Sequence, residues 1–143
     1  MGHSMGAVAV LLAAAEADDV RGVIVEAPYD TYRYTIAHHA KILYHLPSWT
    51  PIIPIAIAAA EWRGGFDADS VDTVNAVRGA RWPLLAIVDG LDPRMPEAVV
   101  RRIYDAHPGP KRLRVAPGVD HVGAIALPGY WPHVLSFLEE NGL

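Results

Sequence analysis

Five residues near the start of the sequence constrain the rest. They are Gly2-His3-Ser4-Met5-Gly6, running directly into Ala7-Val8-Ala9-Val10-Leu11-Leu12-Ala13-Ala14-Ala15. A G-x-S-x-G pattern that opens a small-residue helix is the sequence form of a nucleophile elbow, a sharp strand-to-helix turn with serine at its apex. The serine backbone is strained there, so the flanking positions are expected to be small, and Gly2 and Gly6 meet that need. The turn lifts the Ser4 hydroxyl clear of a sheet, at the N-terminus of the following helix. The Met5 backbone N–H is then expected to face a developing oxyanion. The plainer alternative is a glycine-rich turn in which Ser4 is an ordinary helix N-cap.

Composition narrows the field. The 143 residues suffice for one domain with a real core, and 52% of them are apolar, so the chain is neither disordered nor a coiled coil. A formal net charge of −4 and scattered arginines give no basic footprint, which argues against nucleic acid as a partner. With no cysteine, disulfides, thiolate catalysis and cysteine-based zinc sites are excluded, and the compartment is undetermined. The most apolar stretch, Pro51 to Ala60, is too short to cross a bilayer and contains Pro54. No metal or cofactor is expected. The chain as given reads as cytoplasmic, and a targeting signal or membrane anchor upstream of Met1 stays open.

Read in order, Met5 to about Glu16 is a buried helix. Arg21 to Ala27 is a β-branched run ending at Pro28, the form of a buried parallel strand. Residues 29–80 then read as a helical, cap-like insert. Thr31 to His45 forms one helix, and Pro51 to Trp62 a second with Pro54 in its first turn. Asp69 to Val77 forms a short third, capped by Asp69 or Ser70. Pro83 to Val88 is the next buried strand, and Pro96 opens a helix to about Ala106. Lys111 to Ala116 is a further strand, and Pro128 to Glu140 a closing amphipathic helix. Strands alternating with helices imply a parallel sheet in an α/β fold.

A serine nucleophile needs a base to take its proton and a carboxylate to orient that base. In a parallel sheet such groups come from loops at the C-terminal ends of strands. Asp92 follows the strand Leu84–Val88, and His121 follows the strand Lys111–Ala116. Asp89 is a rival carboxylate, and Asp92 is favoured because it lies farther into its loop. Asp120 reads as a turn former. Glu26, inside a strand, is expected at a sheet edge or paired with a partner that the sequence does not name. His38, His39 and His45 read as residues of a solvated helix or core edge rather than metal ligands, because adjacent helical residues point to different faces. His107 and His133 are expected at the surface. His3 and Tyr29 are candidates for substrate contact. Tyr29, Tyr32 and Tyr34 either line a pocket above Ser4 or cover the core. Trp49, Ile52, Ile53 and Ile57 form a lid over an acyl site or pack as helical core.

These motifs together resemble the C-terminal half of an α/β-hydrolase. Gly2-His3-Ser4-Met5-Gly6 is similar to its elbow, Pro83 to Pro96 to its strand-plus-acid segment, and Gly118-Val119-Asp120-His121 to its histidine loop. The closing helix resembles that of serine-aminopeptidase-like and acyl-protein-thioesterase-like members. The resemblance implies Ser4 as nucleophile, His121 as general base, Asp92 as orienting acid and the Met5 N–H as one oxyanion donor. The implied activity is hydrolysis of a carboxylic ester or thioester, or of an amide, through an acyl-enzyme, on a small-molecule ester or acyl substrate.

An elbow needs a strand before it, and this chain begins inside the turn. The expectation is therefore an incomplete fold: a three-stranded parallel sheet remnant with helices on both faces, lacking the N-terminal half and its second oxyanion loop. Val23–Val25 would then be a bare edge, and the chain would be marginally stable, impaired in turnover, or self-associating through that edge. The alternative function is an inactive fragment or an interaction module exposing a sheet edge. A nonhydrolytic relative of the same fold is a third reading.

Overall fold

The computed structural model describes residues 1–47 and 49–143. In chain order the elements are β1 (Gly2–His3), α1 (Met5–Glu16), β2 (Val23–Glu26), α2 (Tyr32–Tyr44), α3 (Ile52–Gly64), α4 (Thr73–Ala76), β3 (Leu84–Asp89), α5 (Glu97–Ala106), β4 (Lys111–Ala116) and α6 (Tyr130–Glu140). Short 3-10 turns occupy Ala68–Ser70, Val77–Gly79 and Ala124–Ala126. The strands form one parallel sheet in the order β1-β2-β3-β4.

This corrects the expected count of three strands, and it covers the expected bare edge of β2 at Val25 and Glu26 but not at Val23 and Ile24. Gly2 pairs with Val25 and His3 with Glu26, and the Ser4 N–H extends the ladder by donating to the Glu26 carbonyl at 2.8 Å. Gly2 and His3 are thus extended enough to pair with the C-terminal half of β2.

The alternating direction of strand side chains divides the core between two faces. Val23, Val25, Leu84, Ala86 and Val88 pack on one face with Ala7, Leu11 and Ala14 of α1 and Val100 and Ile103 of α5. Ile24, Leu85 and Ile87 pack on the other with Ala124 and with Tyr130, Val134 and Phe137 of α6. Every residue of β2 and β3 is buried, which explains their continuous apolar runs.

The segment between β2 and β3 is helical, with differences in detail. The Thr31 side chain accepts from the Tyr34 N–H and opens α2, which ends at left-handed His45. Pro54 lies in the first turn of α3, where its missing N–H costs nothing. The expected single helix over 69–77 is broken into two 3-10 turns around the four-residue α4. Its caps are Asp67 and Asp72, not Asp69 or Ser70, because the Asp72 side chain accepts from Asn75 N–H and restarts the helix there. Ile53 and Ile57 pack α3 against Ile36, Ala37 and Ala40 of α2, whereas Trp49 and Ile52 face outward. The apolar group read as either a lid or helical core is thus split, with Ile53 and Ile57 in the core and Trp49 and Ile52 at the surface.

His107 is a second correction: it is fully buried, not at the surface. Its ring lies 4.7 Å from the Trp82 ring, and its Nδ1 accepts from the Gly109 N–H at 3.1 Å, folding the end of α5 back onto the core. His133 is exposed. Burial pushes the His107 pKa below its ordinary value, and the nearby Lys111 adds to this. A histidine held neutral costs nothing above its unfolded pKa. As pH falls through about 6.5, the unfolded chain takes up a proton that the folded chain resists. Denaturant midpoints at pH 7.5 and 5 are expected to fall further in the wild type than in His107→Asn, which keeps an acceptor for Gly109 and cannot titrate.

Candidate active site

Ser4 occupies a backbone conformation that side chains rarely adopt, with φ 49° and ψ −120°. Two sets of hydrogen bonds hold it there. Its N–H is bound into the sheet, and its carbonyl accepts from Ala7 at 3.0 Å and Val8 at 3.2 Å, fixing the start of α1. The side chain makes no capping bond to the helix, so the plain N-cap reading fails. The Ser4 Oγ instead lies 2.9 Å from His121 Nε2. Met5 is the first residue of α1, so its N–H is one of the helix-opening donors with no intrahelical partner.

The two flanking glycines differ. A Cβ on Gly2 would lie 2.4 Å from the Gly6 carbonyl oxygen, whereas a Cβ on Gly6 would meet nothing within 4 Å. The turn therefore needs a bare backbone at Gly2, where strand and helix nearly touch. Within this chain the steric demand expected of both positions falls on Gly2.

Asp92 and His121 reach Ser4 from the C-terminal ends of β3 and β4. Asp92 is buried, and its Oδ1 accepts from its own loop, from Arg94 N–H at 2.8 Å and Met95 N–H at 3.1 Å. That leaves Oδ2 for His121 Nδ1 at 2.6 Å. These partners require the tautomer in which Nδ1–H donates to the carboxylate and Nε2 accepts from the serine hydroxyl. Asp120 Oδ1 accepts from the His121 N–H at 2.7 Å, tightening the loop without touching the imidazole.

Asp89 is directed elsewhere. Its two oxygens accept from Val122 N–H at 2.8 Å and Ala124 N–H at 2.9 Å, so it grips the histidine loop by its backbone. Burial, followed by the charge of neighbouring Glu26, pushes its pKa up to about 6 against the pull of those two N–H groups. Glu26 is fully buried, and the partners that the sequence left unnamed are His3 Nδ1 at 2.8 Å and Ala124 N–H at 3.1 Å. An acid closing the apolar run Val23-Ile24-Val25 was the one sequence signal of this arrangement. Nothing in the sequence marked Val122, which has φ 57°.

Of the two residues expected to contact substrate, His3 has its Nδ1 committed to Glu26, and its side chain is 29% exposed. Tyr29 is buried with Val8, Ala27, Met95 and Val99, so it covers the core. His38 Nε2 donates to the Pro93 carbonyl at 2.7 Å and ties α2 to the Asp92 loop. On the next position of α2, burial and the adjacent His38 and Arg94 push the His39 pKa down. Among the described residues, no group of three or more His, Asp or Glu side chains is arranged to hold a metal ion. None of the described helices is long and apolar enough to cross a membrane.

A parallel sheet clothed by helices on both faces, with a strained serine turn after one strand and its partners after two others, has the α/β-hydrolase fold over the part the chain represents. Solved structures agree. An acetyl xylan esterase from a Paenibacillus species superposes with a TM-score of 0.73 at 20% identity, over 98% of this chain and 44% of its own. An esterase of Pyrococcus furiosus superposes with a TM-score of 0.69 at 22% identity, over 97% of this chain and 51% of its own. In sequence, the chain is 33% identical over 122 residues to an uncharacterised Bacillus subtilis protein, YqkD, spanning 84% of this chain and 40% of that protein. No family model matches the chain.

The unequal demands at Gly2 and Gly6 are testable. Gly2→Ala is expected to destabilise the fold by about 1–3 kcal/mol, as overpacking does. Gly6→Ala is expected to leave the denaturant midpoint unchanged or slightly raised, because alanine favours a helix over glycine.

Proposed function

We propose that the chain is the nucleophile-bearing part of a serine hydrolase that cleaves carboxylic esters or thioesters through an acyl-enzyme. The observation that carries this reading is one continuous line of hydrogen bonds, Ser4 Oγ to His121 Nε2 at 2.9 Å and His121 Nδ1 to Asp92 Oδ2 at 2.6 Å. The fold shared with the two esterases supports it.

In this mechanism the Ser4 oxygen attacks the acyl carbonyl while its proton passes to His121 Nε2. The imidazolium that forms is stabilised by Asp92, which stays ionised. The carbonyl oxygen becomes an oxyanion and is met by the Met5 N–H at the start of α1. Collapse breaks the bond to the leaving alcohol or thiol, which takes the proton from Nε2. Water then repeats the sequence on the acyl-serine: His121 takes its proton, and the acid and free Ser4 are released.

Residues 29–80 serve in this reading as a cap-like insert beside the acyl site, supported by the His38–Pro93 link between α2 and the acid loop. An acyl or otherwise hydrophobic substrate belongs to the same proposal and rests on the apolar composition of this insert. Placement in the serine-aminopeptidase-like or acyl-protein-thioesterase-like branch belongs to the same proposal and rests on the resemblance of the closing helix α6.

A fluorophosphonate probe is expected to label the chain at Ser4 and to give no label on Ser4→Ala. Hydrolysis of p-nitrophenyl acetate is expected to drop by roughly 10⁴–10⁶ in kcat for Ser4→Ala or His121→Ala, and by about 10⁴ for Asp92→Asn. Labelling that persists without the Ser4 hydroxyl, or turnover indifferent to Asp92→Asn, overturns the assignment.

A further inference from the structure

Beneath the serine–histidine pair runs a second polar chain that the reaction does not use. His3, the residue before Ser4, bonds through Nδ1 to Glu26 Oε2 at 2.8 Å. The other Glu26 oxygen shares the Ala124 N–H with Asp89, at 3.1 Å and 2.9 Å. Asp89 also accepts at 2.8 Å from Val122, the residue after His121. The chain thus begins one residue before the nucleophile and ends one residue after the base. Both carboxylates are buried, and no Lys or Arg among the described residues is hydrogen-bonded or ion-paired to either.

We propose that Glu26 and Asp89 are positioning residues for the hydrolytic reaction, a buried carboxylate pair that locks the histidine loop to the nucleophile strand and so fixes His121 against Ser4. The inference rests on the serine-hydrolase reading above. The need for such a lock is visible in the loop itself. Val122 is β-branched yet sits at φ 57°, a strained conformation that persists only where its surroundings enforce it. The Asp89 oxygens hold the N–H groups of Val122 and Ala124, spanning that residue from both ends. Gly123 between them is equally committed, since a Cβ there would lie 2.7 Å from the Asp120 carbonyl oxygen. With the loop so held, Nε2 reaches Ser4 without adjustment at the moment of reaction.

Asp89 takes up a proton below about pH 6. The groups facing the pair are His3 from β1, the Tyr130 hydroxyl from α6 and the backbone N–H groups of the histidine loop. Tyr130, buried and beside Glu26, has its own pKa pushed up and stays neutral. Two carboxylates that accept the same N–H in a dry site resist ionising together. The raised pKa of Asp89 agrees with this.

The test reads the position of His121 separately from turnover. The His121 Nδ1–H···Asp92 bond, at 2.6 Å, is expected to give a low-field proton signal in NMR whose presence reports an imidazole held against Asp92. In Asp89→Asn, one side of the loop clamp becomes an amide donor facing an N–H donor. The low-field signal is expected to broaden or move upfield, and kcat on p-nitrophenyl acetate to fall at least about tenfold with KM little changed. A folded Asp89→Asn protein that keeps both the signal and kcat overturns the proposal. Should that variant not fold, Glu26→Gln decides. It breaks the lock at its other carboxylate, so the low-field signal is again expected to broaden or move upfield and kcat to fall with KM little changed. An unchanged kinetic profile overturns the proposal. Absence of ester turnover by the wild type would strike the hydrolase reading alone, because the low-field signal still reports whether Asp89 places His121.

Discussion

The structure depends on one backbone constraint, the unusual conformation of Ser4. At φ 49° and ψ −120° the residue is a source of strain, and it persists only because its surroundings leave it no alternative. The sheet holds its N–H through Glu26, the first turn of α1 holds its carbonyl, and Gly2 lets strand and helix approach closely enough for both. The Ser4 hydroxyl is thereby withheld from capping the helix and presented to His121. Most of the remaining architecture anchors the two ends of this turn. α1 is buried along Ala7, Leu11 and Ala14 against β2 and β3, and β2 is buried along its whole length.

The same sheet brings the partners of Ser4 together. In a parallel arrangement every strand ends on the same side, so loops distant in sequence converge there. Asp92 and His121 are 29 residues apart, and His121 and Ser4 are 117 apart, yet all three meet through bonds of ordinary length. The two aspartates after β3 divide the labour. Asp92 is fixed by its own loop and turns one oxygen to the imidazole, while Asp89 at the strand end spends both oxygens on the loop that carries it.

Much of this was legible in the sequence because it rests on local rules. The buried runs Val23–Val25 and Leu84–Val88, the helix after the serine turn and the strand Lys111–Ala116 follow from residue type and spacing. What escaped was set by tertiary partners. Gly2–His3 reads as part of the serine turn, and its pairing with β2 is a tertiary contact that residue type does not announce. His107 ends a helix next to Pro108-Gly109-Pro110, a context that suggests the surface, yet its ring lies inward against Trp82 and bonds to the Gly109 N–H. Glu26 was recognisable as misplaced in an apolar strand, but its partners come from β1 and from a loop 98 residues away. The break in the 69–77 helix turned on which aspartate captured a free N–H, a competition between neighbours of near-equal propensity.

The pairing of β1 with β2 carries a chemical mark as well as a ladder. In the observed register His3 lies opposite Glu26, and its imidazole nitrogen meets the acid at the end of β2. A slip of one position would turn His3 to the opposite face and separate the two. The side chain acts as a key in a lock whose wards are polar.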